Sequence, residues 1–229
     1  MTGKLVEVPN ESADARISFV PFPLPPKWKW PESLWKHLLE ARTSLASLDG
    51  TGKHLPNPTI LIRPLQAREA RLSSRLEGTI TDPQQQVLFE ADPRYPTSAS
   101  DPANAFREVW NYRRALQLRL DGETDLPLSL RLLKQLHGKL MDGVRGLDPR
   151  PGEFRTIQNQ IDSPARFVPP PPGQMQEVLG DFELYLHNTS DGFDPLVRSF
   201  LAHYQFETIH PFRDGNGRVG RLLLALTIA

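Results

Sequence analysis

The sequence predicts an all-α chain, on three observations. Apolar residues recur every three or four positions over most of the length beyond Pro31, the spacing of one helix face. Helix-opening signals stand where these stripes begin, as in Pro127 with Ser129 and in Asp194-Pro195, and Gly78 stands where one ends. Only one piece between the stripes, Pro151 to Ile161, has the composition of extended structure.

Met1 to Pro31 is proline-rich and aperiodic and reads as an extended arm, tacked to the body by Phe19, Phe22, Trp28 and Trp30. From Pro31 a first helix carries the stripe Leu34, Trp35, Leu38 and Leu45, and Gly50, Gly52, Pro56 and Pro58 form the loop after it. A second helix runs from Pro64, a favoured first-turn residue, to Gly78, with Leu65, Leu72 and Leu76 on one face. Its last turn holds Glu77, a carboxylate facing the negative end of the helix dipole. That placement is unfavourable unless a cation pairs with it, whether Arg71 or Arg75 locally or one outside the helix. Thr79 to Pro102, with Pro83, Pro93 and Pro96, reads as a loop and divides an N-terminal segment, 1–100, from a core, 101–229.

Four helical stripes follow. Phe106, Val109, Trp110, Leu116 and Leu120 mark the first; Leu132, Leu133, Leu136 and Leu140 mark the second. Met175, Val178, Leu179, Phe182 and Leu186 share a narrow face of the third, and the fourth runs from Asp194-Pro195 toward His210. In Pro151 to Ile161, Phe154, Thr156 and Ile161 suit extended backbone and Gln158-Asn159 suits a turn.

Composition narrows the function. Lys+Arg and Asp+Glu are both 27, so bulk charge gives no argument for nucleic-acid or membrane-surface binding. The absence of cysteine excludes disulfides and thiolate metal sites and fits a reducing cytoplasm. No apolar run has the length of a membrane span.

The densest chemistry lies in His210-Pro211-Phe212-Arg213-Asp214-Gly215-Asn216-Gly217-Arg218-Val219-Gly220-Arg221. Glycines on both sides of Asn216 let the backbone turn its N–H groups toward one point, and the apolar run from Leu222 reads as a helix opening there. Such a turn is a ready anion site. Arg218 and Arg221 add two charges on one side of the first turn. His210 is suited to moving a proton near neutral pH, and Asp214 offers the hard oxygen that Mg²⁺ prefers.

This stretch resembles the signature of the Fic family, His-Pro-Phe-x-Asp/Glu-Gly-Asn-Gly-Arg-x-x-Arg, and matches every defined position. Ser73-x-x-x-Glu77-Gly78 resembles the family's inhibitory motif. Pro151-Gly152-Glu153-Phe154-Arg155, with the later Phe167-Val168-Pro169-Pro170-Pro171, resembles its β-hairpin flap. The resemblance implies a Fic-fold helical bundle with a small flap and an N-terminal helical segment. It also implies nucleotidyl transfer, most often of AMP from ATP with Mg²⁺ to a Ser, Thr or Tyr hydroxyl of a target protein. On that resemblance His210 takes the hydroxyl proton and Asp214 holds the metal. Phe212, Gly215, Asn216, Gly217, Arg218 and Arg221 serve the nucleotide. Ser73, Glu77 and Gly78 inhibit, Glu77 reaching Arg221 where a γ-phosphate would lie. Phe154, Arg155, Thr156, Ile157 and Gln158 hold the target's backbone, although the apolar residue and glycine usual near Gln160 to Asp162 are not both present. A homodimer is a further implication.

Other readings compete. His203, Glu207 and His210, four and three residues apart, form a candidate metal triad; His203 continues the stripe of Leu196 and Phe200, which favours a hydrogen-bonded core histidine instead. His54, His137 and His187 have no partner pattern and read as surface or packing residues. The chain stops at Ala229 inside an apolar helix with no stop signal, so the core is expected to be truncated. A non-catalytic regulatory domain, removal of AMP, or transfer of another phosphate group are the alternatives to AMP transfer.

Overall fold

The computed structural model describes residues 2–8, 17–27, 31–144, 150–161, 166–188 and 190–228. Strands β1 (Gly3–Glu7) and β2 (Ile17–Pro21) pair antiparallel, Leu5 opposite Phe19. Eight helices follow among the described residues: α1 (Glu32–Gly52), α2 (Thr59–Leu76), α3 (Pro83–Ala91), α4 (Ala103–Leu120), α5 (Leu130–Leu140), α6 (Pro172–His187), α7 (Pro195–Ile209) and α8 (Asn216–Ile228).

The core is helical, as the stripes predict. α4 packs against α2, α5 and α8, and α7 runs beside both α6 and α8. Leu132, Leu133, Leu136 and Leu140 of α5, Phe182 of α6, Phe206 of α7, and Leu222 and Leu223 of α8 lose nearly all exposure. Each such side chain contributes about 1.5–3 kcal/mol of burial. Ser129 accepts from Leu132 N at 3.3 Å and Asp194 from Leu196 N at 2.8 Å, so both expected caps act as caps.

The N-terminal part differs from the sequence reading in four ways. The arm is a hairpin: Phe19 N donates to the Val168 carbonyl at 2.9 Å, and the Phe22 carbonyl accepts from Gln205 Nε2 at 3.0 Å. Phe19 also packs its ring on Phe167, whereas Phe22 is held through its backbone and its side chain stays 45 % exposed; Trp28 and Trp30 lie outside the described residues. Second, α1 buries none of its residues; Trp35 is 58 % exposed, and Arg42 meets Asp194 at 3.5 Å. Third, α2 begins five residues before Pro64 and turns Gln66, Ala70, Ser73 and Ser74 inward, leaving Leu65, Leu72 and Leu76 in solvent. Fourth, the stretch 79–102 contains α3, because Asp82 accepts from Gln84 N and Gln85 N and Pro83 fits the first helical position.

The expected flap forms no regular strand among the described residues. It shows one antiparallel bridge, Ile161 to Phe167, and the two-stranded sheet lies in the arm instead. Part of the segment's backbone is engaged elsewhere: Arg155 N donates to the Pro211 carbonyl at 2.8 Å, beside the turn that follows α7.

Candidate active site at the start of α8

α7 ends on His210, which adopts the left-handed conformation (φ 50°, ψ 59°). Histidine tolerates this region better than most residues, yet such a conformation costs about 1–3 kcal/mol and needs support. Arg155 supplies it. Its guanidinium is buried and donates to four carbonyls: His210 at 2.9 Å, Ile157 at 3.0 Å, Pro170 at 2.6 Å and Ile209 at 3.4 Å. Burial pushes its pKa down to about 10, which still leaves it charged at neutral pH. Burial, reinforced by this cation, pushes the His210 imidazole down to about 4. The ring is therefore neutral at pH 7, with a lone pair for a proton. Among the described residues nothing bonds its buried Nδ1.

Asn216 shapes the turn into α8. Its Oδ1 accepts from Phe212 N and its Nδ2 donates to the Phe212 carbonyl, both at 2.8 Å. The side chain expected to cradle phosphate is thus committed to the loop itself, and the anion donors left are the backbone N–H groups that open α8. Gly215 takes φ +75°, where any side chain is strained, although a Cβ would meet Leu140 and Met141 only at contact distance, 3.4 Å.

Phe212 is fully buried beneath the loop, against Phe154 at 5.2 Å and Phe206 at 6.4 Å between centroids. His137 stacks on its face at 3.9 Å and 5°. His137 Nε2 bonds the Asp214 carbonyl at 3.1 Å, and Nδ1 accepts from Gly152 N at 2.8 Å, which fixes the neutral Nε2–H tautomer. This positioning residue was missed in sequence; the available signal was its place on the buried α5 stripe between Leu133 and Leu140. Asn159, also missed, donates to the Phe212 carbonyl at 3.0 Å and to the Arg213 carbonyl at 3.3 Å.

The charged groups then divide. Arg218 is 4 % exposed and donates to Glu108 Oε2 at 3.0 Å, with Asp214 Oδ1 at 3.8 Å. Arg221 is held from α2: Nε donates to Ser73 Oγ at 2.7 Å, and Nη2 to the Ser73 carbonyl at 3.0 Å and Glu77 Oε1 at 2.6 Å. Glu77 thus pairs with a cation outside its helix. Gly78 (φ +88°) turns the chain at once, Gly78 N reaching Arg75 O at 3.0 Å and Thr79 N reaching Ser74 O at 3.0 Å, a Schellman arrangement. A side chain at Gly217 would collide with the Glu77 carboxylate, so that glycine lets the carboxylate lie against the start of α8.

Asp214 accepts from Gly215 N at 2.6 Å and keeps a 43 % exposed side chain. One exposed carboxylate suits Mg²⁺, which takes one or two protein carboxylates and completes its shell with phosphate and water. The rival triad is not assembled: among the described residues no group of three His, Asp or Glu could hold a metal. His203 bonds the Gly220 carbonyl at 2.9 Å instead. Of the flap residues, Phe154 packs on the loop and Arg155 faces inward. Thr156 accepts from Arg150 Nη2 at 2.9 Å, Ile157 is 49 % exposed, and Gln158 donates to the Asn159 and Pro169 carbonyls, both at 2.9 Å.

Residues 127–228 match the family model Fic/DOC family, and residues 35–121 match Fic/DOC family N-terminal. The two matches meet after α4. Protein adenylyltransferase Fic of Drosophila grimshawi is 36% identical over 100 residues, 43% of this chain and 20% of that protein. Protein adenylyltransferase fic-1 of Caenorhabditis elegans is 36% identical over 100 residues, 43% of this chain and 19% of its own length. The matches thus span about a fifth of these curated relatives. A Fic family protein from Desulfovibrio desulfuricans superposes with a TM-score of 0.69 at 25% identity, covering 89% of this chain and 59% of that one. C. elegans Fic-1 superposes at 0.66 and 24% identity, covering 86% and 58%. Among the described residues no helix is long and apolar enough to cross a membrane. With both family models matched in order and the signature folded into one loop, the chain belongs to the Fic/DOC family.

Proposed function

We propose that this chain transfers AMP from ATP to a hydroxyl side chain of a protein and that Glu77 holds it in a slow state. The observation that carries the reading is the contact of α2 with Arg221. A carboxylate at 2.6 Å occupies the charge that would otherwise meet a terminal phosphate, beside a neutral histidine and a helix start suited to phosphate. The relatives named as protein adenylyltransferases support the group transferred.

In this reading the hydroxyl oxygen attacks the α-phosphorus, the bond from that phosphorus to the bridging oxygen breaks, and pyrophosphate leaves. His210 accepts the hydroxyl proton. Its depressed pKa keeps it unprotonated before substrate arrives, and nearby phosphate charge raises its basicity as the reaction begins. The N–H groups opening α8, with Arg218, stabilise charge on the phosphates, and Arg221 joins them once Glu77 withdraws. Asp214 would hold Mg²⁺, whose chemistry is to neutralise the leaving pyrophosphate. The exposed backbone near Thr156 and Ile157 offers the place to align a target strand.

The test uses ATP labelled at the α or the γ phosphate, with Mg²⁺, on the parent, Glu77→Gly and Glu77→Gly/His210→Ala. Protein-bound α-label that rises in the first variant and vanishes in the second is the expected result. Bound γ-label would overturn AMP transfer, and an unchanged rate in Glu77→Gly would overturn the inhibitory role.

A further inference from the structure

The outer face of α2 carries a cluster with no part in the site just described. Arg68, Arg71 and Arg75 stand three and four residues apart on one helical face, spanning about 10 Å at 1.5 Å per residue. With Thr79 and Thr81 they line a cavity of about 190 Å³. Among the described residues no carboxylate lies within ion-pair distance of any of the three guanidiniums, whereas Arg94, Arg107, Arg113, Arg198, Arg218 and Arg221 each have one. Three converging cations left without counter-charge, with two hydroxyls beside them, make a site that attracts an anion. The volume admits a single tetrahedral oxyanion and is too small for a nucleotide.

The cavity is wired to the catalytic loop. Thr79 Oγ1 donates to Glu108 Oε2 at 2.6 Å, and that same oxygen accepts from Arg218 Nη1 at 3.0 Å. An anion that draws the Thr79 hydroxyl toward itself removes one donor from Glu108, which then binds Arg218 more strongly. Thr79 is also the residue whose N–H closes the turn after Glu77, donating to Ser74 O at 3.0 Å. The turn after Glu77 and the carboxylate that holds Arg218 thus meet at one threonine.

We propose that Arg68, Arg71, Arg75, Thr79 and Thr81 form a binding site for a phosphate-type oxyanion, coupled through Thr79 and Glu108 to Arg218. The site stands independently of the AMP-transfer reading; only its consequence at Arg218 rests on that reading. The probe is inorganic phosphate, titrated at constant ionic strength into the ¹⁵N-labelled full chain, with O-phosphoserine in a parallel arm. Parent and Arg71→Gln/Arg75→Gln are compared, since both arginines lie on the outer face and a well-dispersed spectrum reports an intact fold. Saturable shifts at the amides of Thr79, Ile80 and Thr81, weakened at least tenfold in the double variant, are expected. Shifts at Arg218 that vanish in the same variant are expected with them. Tighter phosphoserine binding would assign the site to a monoester, and tighter phosphate binding to the free ion. Shifts confined to Gly215 to Arg221, shifts at 79–81 indifferent to the double variant, or no shift at all would overturn the site. Shifts at 79–81 with Arg218 unmoved would overturn the coupling. No catalytic rate enters, so failure here is separable from failure of the labelling experiment.

Discussion

Replacing Arg155 by Met keeps an apolar stem of similar length and removes the guanidinium that joins the flap segment to the left-handed turn at His210. Four carbonyls lose a donor, those of His210, Ile157, Pro170 and Ile209, in a place where the side chain is only 2 % exposed. A buried acceptor left unsatisfied costs about 1–3 kcal/mol. Opposing this, the guanidinium no longer has to be desolvated without a carboxylate partner. Some carbonyls also regain water, so the net loss should be about 3–5 kcal/mol rather than the full sum. In urea denaturation, with slopes of about 1–3 kcal/mol per molar, the midpoint should fall by more than about 1 M. Arg155→Lys should fall between, because an ammonium is one point of charge and cannot fan out to carbonyls on separate segments. A second readout separates the site from general stability: with the cation gone, the His210 pKa, followed by NMR, should move up from about 4. If the Met variant unfolds within about 0.3 M of the parent, the reasoning that Arg155 braces the turn fails.

Three further perturbations test the same geometry. His210 has a folded pKa of about 4 against an ordinary value of 6.5, so its contribution is fully present above pH 6.5 and is lost as pH falls toward 4. The parent should lose up to about 3 kcal/mol more than His210→Gln between pH 7 and pH 4, and parallel losses would contradict the burial of the ring. Asn216→Ala removes both bonds to the Phe212 peptide. At about 2–3 kcal/mol it should lower the melting temperature by roughly 5–10 °C; a shift under about 2 °C would mean that the loop keeps its shape without them. Asp82→Ala removes the cap of α3 and should cost about 1 kcal/mol in chemical denaturation, whereas Asp82→Asn should cost only a few tenths.

The candidate site loop was legible because its chemistry is local: twelve consecutive residues supply turn, charges, a histidine and the helix start. The α4 to α8 stripes were legible for a similar reason, since a face that repeats every three or four residues has to be buried somewhere. Where the reading failed, local preference was overridden. Leu65, Leu72 and Leu76 mark an apolar face of α2, yet the protein turns the opposite, polar face inward, because Ser73 and Glu77 meet Arg221 and Glu69 meets the Tyr112 hydroxyl at 3.0 Å. No periodicity argument finds a helix docked by its hydrogen bonds. Arg155 likewise reads as a surface cation in any one-dimensional view, and its four carbonyl partners are set by three separate stretches of chain. His137 and Asn159 support the loop from 77 and 53 residues away.

The polar docking of α2 also bears on how firmly that helix holds Arg221. Glu77 and Arg221 keep 38 % and 22 % side-chain exposure, so solvent screens the pair and it merits about 1 kcal/mol rather than a buried ion-pair value. The Ser73 hydroxyl accepts from the same guanidinium in a position 2 % exposed, and a bond to a charged group contributes about 1.5–3 kcal/mol. The hold on Arg221 is therefore about 2–4 kcal/mol, with Ser73 supplying the larger share. Since about 1.4 kcal/mol is a tenfold factor, Glu77→Gly alone should raise the α-label rate by about fivefold, and somewhat more through the space it opens beside Gly217. Ser73→Ala leaves the carboxylate in place but frees the Nε of Arg221, and should raise the rate by roughly tenfold to a hundredfold in the presence of Glu77. In the Glu77→Gly background the same substitution should still raise the rate, because the Ser73 hydroxyl goes on holding Nε after the carboxylate is gone. A Ser73→Ala effect that disappears once Glu77 is gone would show that Ser73 acts only through the carboxylate, and would replace this division of the energy.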